Sequence, residues 1–314
     1  MYLIVNNKLV FQSMGFYLLF LFFLVACQNN HPEDSQTICA SQFCNAQGKN
    51  EILATKDKAY TPSIIQFPAN LVIASPNTND YSKYIKIIDT LNTKLNKSGI
   101  NILLNPNILR VNQKKSIDRI GYSDKIRKEL ESKIKTKYLT FVIVPSGQKL
   151  NGFTYTLNQN FWYYLGFGYN YIYISDNPNV SVATFAHETG HFFGLQHTFG
   201  SSSEQFTTKE SILENNCNTE GDFICDTPAD YNTPIDKNCR YVGARYKNYN
   251  PPIENFMSYS PGFCRNHYSN EQLIFMGKFA KSYRFNIAKS SQLEKTVKLT
   301  TTFQSKLTTN FGAN

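Results

Sequence analysis

Within eleven residues, His187, Glu188, His191, Gly194 and His197 bring together three imidazoles, one carboxylate and one glycine. On a helix, residues four apart share a face, so His187 and His191 can present ring nitrogens to one ion while Glu188 stands beside them without ligating. Gly194 permits the turn that returns His197 as a third ligand. With three protein ligands, zinc keeps a coordination position for water, whose pKa falls to about 7; a fourth ligand would close the site. The expected chemistry is hydrolysis at a single zinc ion with Glu188 as general base. Three unrelated core or surface histidines are the bland alternative, which suits a lone histidine pair better than this five-position pattern.

A helix must carry that pattern. Asn179 or Ser181 is its expected N-cap, Val182, Phe185 and Ala186 form its apolar face, and Gly194 stops it. Upstream, from about Pro62, short apolar runs alternate with charged amphipathic ones. Strands are expected over 71–74, 100–104, 138–144, 153–157 and 171–175, with helices over 81–97 and 125–135. This is an α/β-type lobe within an α+β domain. The aromatic, glycine-bearing run 161–169 reads by default as core, with a substrate-contacting bulge as the alternative. Past His197 the chain loses periodicity and fills with Cys, Asp, Asn and Pro, as expected of a loop-rich lobe held by cross-links.

The 314 residues carry a net charge of +9, but the Lys and Arg are scattered rather than blocked, which argues for a solvated surface and against nucleic-acid binding. An apolar run over 16–26 follows Lys8 and ends in Leu24-Val25-Ala26-Cys27. It is shorter than a membrane span and reads as an export signal; the last four residues resemble a bacterial lipobox, with Cys27 as the lipid-bearing residue and a membrane as partner. A plain secretory signal and a membrane anchor are the alternatives. Removing Cys27 from seven cysteines leaves six, an even number that suits disulfides in an oxidising compartment. Counting alone does not fix the pairing. Cys39 and Cys44 lie in a polar stretch, where they are candidates either for a local disulfide or for a ligand that keeps the zinc site latent.

The spacing of the three histidines resembles that of the metzincin clan and differs from that of thermolysin-like enzymes, whose third ligand is a glutamate. Two later segments, Gly221-Asp222-Phe223-Ile224-Cys225-Asp226-Thr227-Pro228 and Asn255-Phe256-Met257-Ser258-Tyr259 with Cys264 beyond, resemble the pappalysin-type (cytophagalysin) branch. The resemblance spans about residues 151 to 276. It implies a zincin-like fold, in which a twisted sheet with backing helices and an active-site helix stands over a disulfide-linked lower lobe, and it implies a zinc metalloendopeptidase acting on protein or peptide. It further implies that Met257 forms a hydrophobic floor beneath the imidazoles and that Tyr259 donates to the oxyanion. Asp222, Asp226 and Thr227 become candidate calcium ligands, with ordinary turns as the alternative. The resemblance also implies a cross-link between Cys239 and Cys264, which leaves Cys217 and Cys225 as a candidate second pair.

Where the family commonly has acidic residues after the tyrosine, this chain reads Ser260-Pro261-Gly262-Phe263. Phe263 is therefore expected to favour an apolar side chain after the scissile bond. Substrate is expected to add, extended, to the strand over 153–157. The resulting plan is a signal peptide over 1–26, a tether or propeptide over 27–60, a catalytic domain over 61–290 whose lobes meet near 197, and a tail over 291–314, in an exported monomer at a bacterial envelope or secreted. A surface-binding lipoprotein on a peptidase fold and a different zinc hydrolase, such as an amidase, are the competing readings.

Overall fold

Near-continuous apolar runs decide the sheet. The computed structural model describes residues 62–154, 170–200, 208–213, 215–231, 234–243, 249–284 and 287. Within them, Ile65–Ile73 (β1) and Leu139–Val144 (β4) are strands buried along most or all of their length. Such runs belong in the interior of a parallel sheet covered on both faces. β1 pairs in parallel with Ile100–Leu104 (β2), with the short Leu109–Arg110 (β3) and with β4, and β4 pairs in parallel with Tyr171–Ser175 (β6). Gly152–Thr154 (β5) runs antiparallel to β6 at the edge, giving the order β2-β1-β4-β6-β5.

Successive side chains of a strand face opposite ways, and this alternation sorts the core into two layers. Leu71, Ile73, Phe141, Ile143, Ile172 and Ile174 join one, while Val72, Ala74, Val142, Val144 and Tyr173 join the other. The second layer is covered by the helices Ile117–Gly121 (α2) and Asp124–Ile134 (α3) through Ile117, Ile120, Leu130 and Ile134. The first is covered by Ser82–Leu95 (α1), whose Tyr84, Ile88, Leu91 and Leu95 recur at helical spacing, and by Val182–Phe192 (α4) and Asn270–Tyr283 (α5). Phe141 joins the sheet to α4, its ring 5.4 Å from that of Phe185. Truncating it to Ala would cost about 3–5 kcal/mol.

The expected strands over 100–104 and 171–175 coincide with β2 and β6, and the expected helices lie within two residues of α1 and α3. β1 begins six residues before the expected 71 and includes Pro68, a residue type that usually argues against a strand interior. Of the expected strand over 153–157, Thr154 is the last described residue. Neither β3, α2 nor α5 was anticipated. α5 lies in the region expected to be loop-rich, although Leu273, Met276 and Ala280 are spaced for a helix and Ser269 with Gln272 forms a capping box at its start. The segments holding Cys27, Cys39, Cys44 and the run 161–169 lie outside the described residues.

Candidate metal centre and active site

α4 starts at Ser181, whose hydroxyl accepts from Ala183 N at 3.3 Å, and carries His187, Glu188 and His191, all buried, on its last turns. Gly194, at φ +87°, then reverses the chain. A β-carbon there would meet the Phe279 ring at 2.8 Å, so this turn requires glycine both for its backbone angle and for its space. At the end of α4, buried Arg284 donates through Nε and Nη2 to Phe192 O at 3.1 and 2.9 Å, supplying partners to a carbonyl that the helix leaves unpaired.

The turn brings His197 back to the helix. His191 Nε2 lies 3.1 Å from His187 Nε2 and 3.1 Å from His197 Nε2. Around a tetrahedral zinc with bonds near 2.05 Å, ligand nitrogens stand roughly 3.3 Å apart. His187 Nδ1 lies 2.7 Å from Phe256 O, and His191 Nδ1 lies 2.9 Å from Leu195 O. Carbonyl oxygens only accept, so the proton of each ring sits on Nδ1 and the Nε2 lone pairs face one another. Burial holds His187 and His197 well below the ordinary histidine range and therefore neutral. Three imidazole nitrogens converging at this distance repel unless a cation lies between them, so the donor set fits zinc. Among the described residues, these three imidazoles form the one such cluster of metal-ligating groups.

Burial pushes the Glu188 carboxyl up to about 8, opposed by the nearby Arg265 guanidinium. Tyr259 stands with its ring 4.5 Å from that of His197 and 5.9 Å from that of His187. Partial burial and the Glu188 carboxylate push its phenol up to about 12, so it remains a donor at neutral pH. Met257 is fully buried under α4, and a methyl at Gly190 would lie 2.4 Å from its Sδ.

Long-range bonds fix the methionine turn. Met257 N donates to Asn255 Oδ1 at 2.8 Å, and Asn255 Nδ2 donates to Gln272 Oε1 at 2.9 Å, which ties the turn to the α5 capping box. Thr198 N donates to Met257 O at 3.1 Å. Asp230 Oδ2 accepts from Thr198 Oγ1 at 2.5 Å and Ser258 Oγ at 3.0 Å, joining the loop after the third histidine to the same turn.

Both expected disulfides form, Cys217 with Cys225 and Cys239 with Cys264. Asp222 and Asp226 go to separate tasks. Buried Asp222 Oδ1 accepts from Thr227 Oγ1 and Ile224 N, while exposed Asp226 accepts from Ser269 Oγ and Glu271 N at the start of α5. A cavity of about 220 Å³ lies between residues 258–261 and Asp230, Ile235 and Ile253. Phe263 is 72 % exposed and lies outside the residues that line this cavity, whereas Asp230 lines it. A carboxylate therefore lines the cavity even though the loop itself has no acid, because Asp230 arrives from a segment that sequence spacing does not connect to it. The sequence reading also missed Gly152 and Arg265. The only signal for Arg265 was a basic residue directly after Cys264, and that for Gly152 a glycine beside an expected edge strand.

A mixed sheet backed by helices, with this histidine cluster on α4 and its turn, defines a metallopeptidase of the metzincin kind. Residues 164–281 match the family model described as Pregnancy-associated plasma protein-A, a pappalysin-type metallopeptidase model. An extracellular metalloprotease of Sordaria macrospora is 27% identical over 207 residues, covering 63% of this chain and 67% of the relative. One from Colletotrichum graminicola is 35% identical over 113 residues, covering 35% of this chain and about a third (34%) of that relative. Mature mirolysin of Tannerella forsythia, solved in complex with a cleaved peptide, superposes with a TM-score of 0.50 at 17% identity over 73% of this chain and all (100%) of that one. Promirolysin gives 0.52 at 15% identity over 77% and 91%. At these identities the likeness to mirolysin is one of fold.

Proposed function

We propose that the protein is an exported endopeptidase in which His187, His191 and His197 hold one zinc ion and Glu188 is the general base. The observation that carries this reading is the convergence of three buried Nε2 atoms, 3.1 Å apart at each of two contacts, with the buried Glu188 carboxyl beside them. Bound zinc would supply Lewis acidity to the scissile carbonyl and to the attacking water. Glu188 takes the proton from that water and passes it to the leaving amine nitrogen as the C–N bond breaks. Tyr259, protonated at neutral pH, donates to the substrate oxygen as negative charge develops there. Substrate lies extended along β5, whose edge is antiparallel to β6 and has no further strand beyond it among the described residues.

The names of the fungal relatives, which call them extracellular, support export, as does the apolar run before Cys27. In this reading residues 1–26 are a signal, Cys27 carries lipid, 27–60 form a tether or propeptide, 61–290 the catalytic domain and 291–314 a tail. Calcium is assigned no site, since Asp222 and Asp226 are committed to the bonds described above.

The test is cleavage of casein by the parent and by Glu188→Ala, with zinc measured in both. The variant should keep about one zinc per chain and lose activity by at least a thousandfold, roughly the scale of a lost general base. Parental turnover by Glu188→Ala would defeat the mechanism, and a zinc-free parent after zinc supplementation would defeat the metal site.

A further inference from the structure

The mechanism gives no part to Arg265, yet this side chain reaches the metal centre from beneath. Its Nη1 donates to Ser258 O at 3.1 Å and Phe256 O at 3.2 Å, the two carbonyls that bracket Met257. The same Nη1 lies 3.2 Å from His187 Nδ1. Phe256 O lies 2.7 Å from that Nδ1 and can only accept, so Nδ1 holds a proton there and has no lone pair to offer Arg265. The bonds of Nη1 therefore go to the two carbonyls, and Phe256 O serves two donors at once. Meanwhile Arg265 Nε is buried with no acceptor. A buried unpaired N–H is unfavourable, so it is not Nε that holds the guanidinium in place. What the placement secures is the position of the turn.

We infer that Arg265 is a positioning residue for the first metal-binding histidine. By clamping the carbonyls on either side of Met257, it keeps Phe256 O at His187 Nδ1. That bond keeps the ring proton on Nδ1 and the lone pair on Nε2, toward His191 and His197. Partners in this outer layer commonly set metal affinity through the orientation and tautomer of the ligand. The inference rests on the reading that the three imidazoles hold zinc, but it also concerns the imidazole itself and can be examined without metal.

The experiment uses the full chain and two variants. Arg265→Met keeps the aliphatic stem and removes both hydrogen bonds; Arg265→Lys keeps the charge and one donor but not the fork. Zinc affinity is read by competition with a chelator, the His187 tautomer by ring ¹⁵N shifts of metal-free protein, and folding by the thermal midpoint of metal-free protein. Arg265→Met should bind zinc roughly ten- to a hundredfold more weakly. Its His187 should show a mixture of Nδ1–H and Nε2–H forms, with the metal-free midpoint close to the parent's. Arg265→Lys should fall between the two, and it carries the test if Arg265→Met does not fold. Zinc affinities within twofold of the parent, together with an unchanged Nδ1–H tautomer, would overturn the inference. A parent that binds no zinc would defeat the proposed function instead. The tautomer would then decide on Arg265 alone, a mixed signal supporting its role and an unchanged one refuting it.

Discussion

Gly152 and Glu188 are in direct contact: a methyl group at position 152 would sit 2.8 Å from Glu188 Cγ and 3.0 Å from its Oε1. Gly152 opens β5, where it pairs with Ile174, while Glu188 projects from α4. The carboxylate is therefore positioned against the backbone of the edge strand along which substrate is proposed to lie. Gly152→Ala must move something, and the far end of a flexible glutamate yields before the sheet does. A displacement of about 1 Å in a reacting group can cost on the order of a hundredfold in rate. The variant should lose about ten- to a hundredfold in kcat/KM with its zinc content and thermal midpoint close to the parent's. Unchanged kinetics would show that Glu188 tolerates the displacement.

Gly190 separates two opposing effects. Alanine there gains about 1 kcal/mol of helix propensity. Its β-carbon would also meet Met257 Sδ at 2.4 Å and Leu195 Cδ1 at 3.3 Å, and both neighbours are buried. Overpacking of that kind costs about 1–3 kcal/mol or more. The clash should win, so Gly190→Ala should lower stability in urea unfolding by roughly 1–2 kcal/mol. A stabilised variant would mean that Met257 is not wedged beneath the helix.

Metal-free protein should show a stability maximum set by this site. His187 and His197 are held well below 6.5, so under that pH the unfolded chain binds more protons at these positions and stability rises with pH. Glu188 is pushed from 4.5 up to about 8, so between those values the native state holds the extra proton and stability falls as pH rises. Below 6.5 two histidines outweigh one carboxyl; above it only Glu188 remains. The contribution of the site therefore peaks near pH 6.5 and declines toward about 8. Urea midpoints of metal-free parent and Glu188→Gln across this range should differ by the loss of that decline in the variant. Parallel curves would refute it.

The two disulfides should separate stability from activity. In the chain-entropy account, closing loops with sequence separations of 25 and 8 is worth about 3.5 and 2.5 kcal/mol for Cys239–Cys264 and Cys217–Cys225, respectively. Paired Cys→Ser variants should lose about these amounts in thermal or urea unfolding. The Cys239/Cys264 pair should also lower kcat, because Cys264 directly precedes Arg265 and the turn it clamps. Removal of Cys217–Cys225 should leave kcat near the parental value. Equal kinetic losses from both would show that the first cross-link has no special hold on the turn.

Some elements were legible because their causes are local. β2 and β6 were readable from short β-branched and aromatic runs, and α1 from apolar positions three and four apart. α5 carried equally local signals, yet the polar, cysteine-bearing sequence before it outweighed them. The first six residues of β1 carried no clear strand signal, and Pro68 among them is tolerated only where its missing N–H has no acceptor waiting, which neighbouring strands determine. In the same way, the chain alone does not reveal that Asp230 reaches the methionine turn.

By itself, the sequence determined that two imidazoles share a helix face, that a carboxylate stands beside them, and that a left-handed glycine returns a third, because helical periodicity and a positive φ act within one or two turns of chain. It also supplied the segments bearing Met257, Tyr259 and the paired cysteines. Only the tertiary structure decided what each of those groups faces. Phe256 O sets the tautomer of His187, Gly152 gives Glu188 its room, Asp230 joins Thr198 to Ser258, and Arg265 holds the turn under the metal centre. Each is a contact between segments distant in sequence, fixed by packing the whole sheet and its helices together, which no periodicity in the chain records.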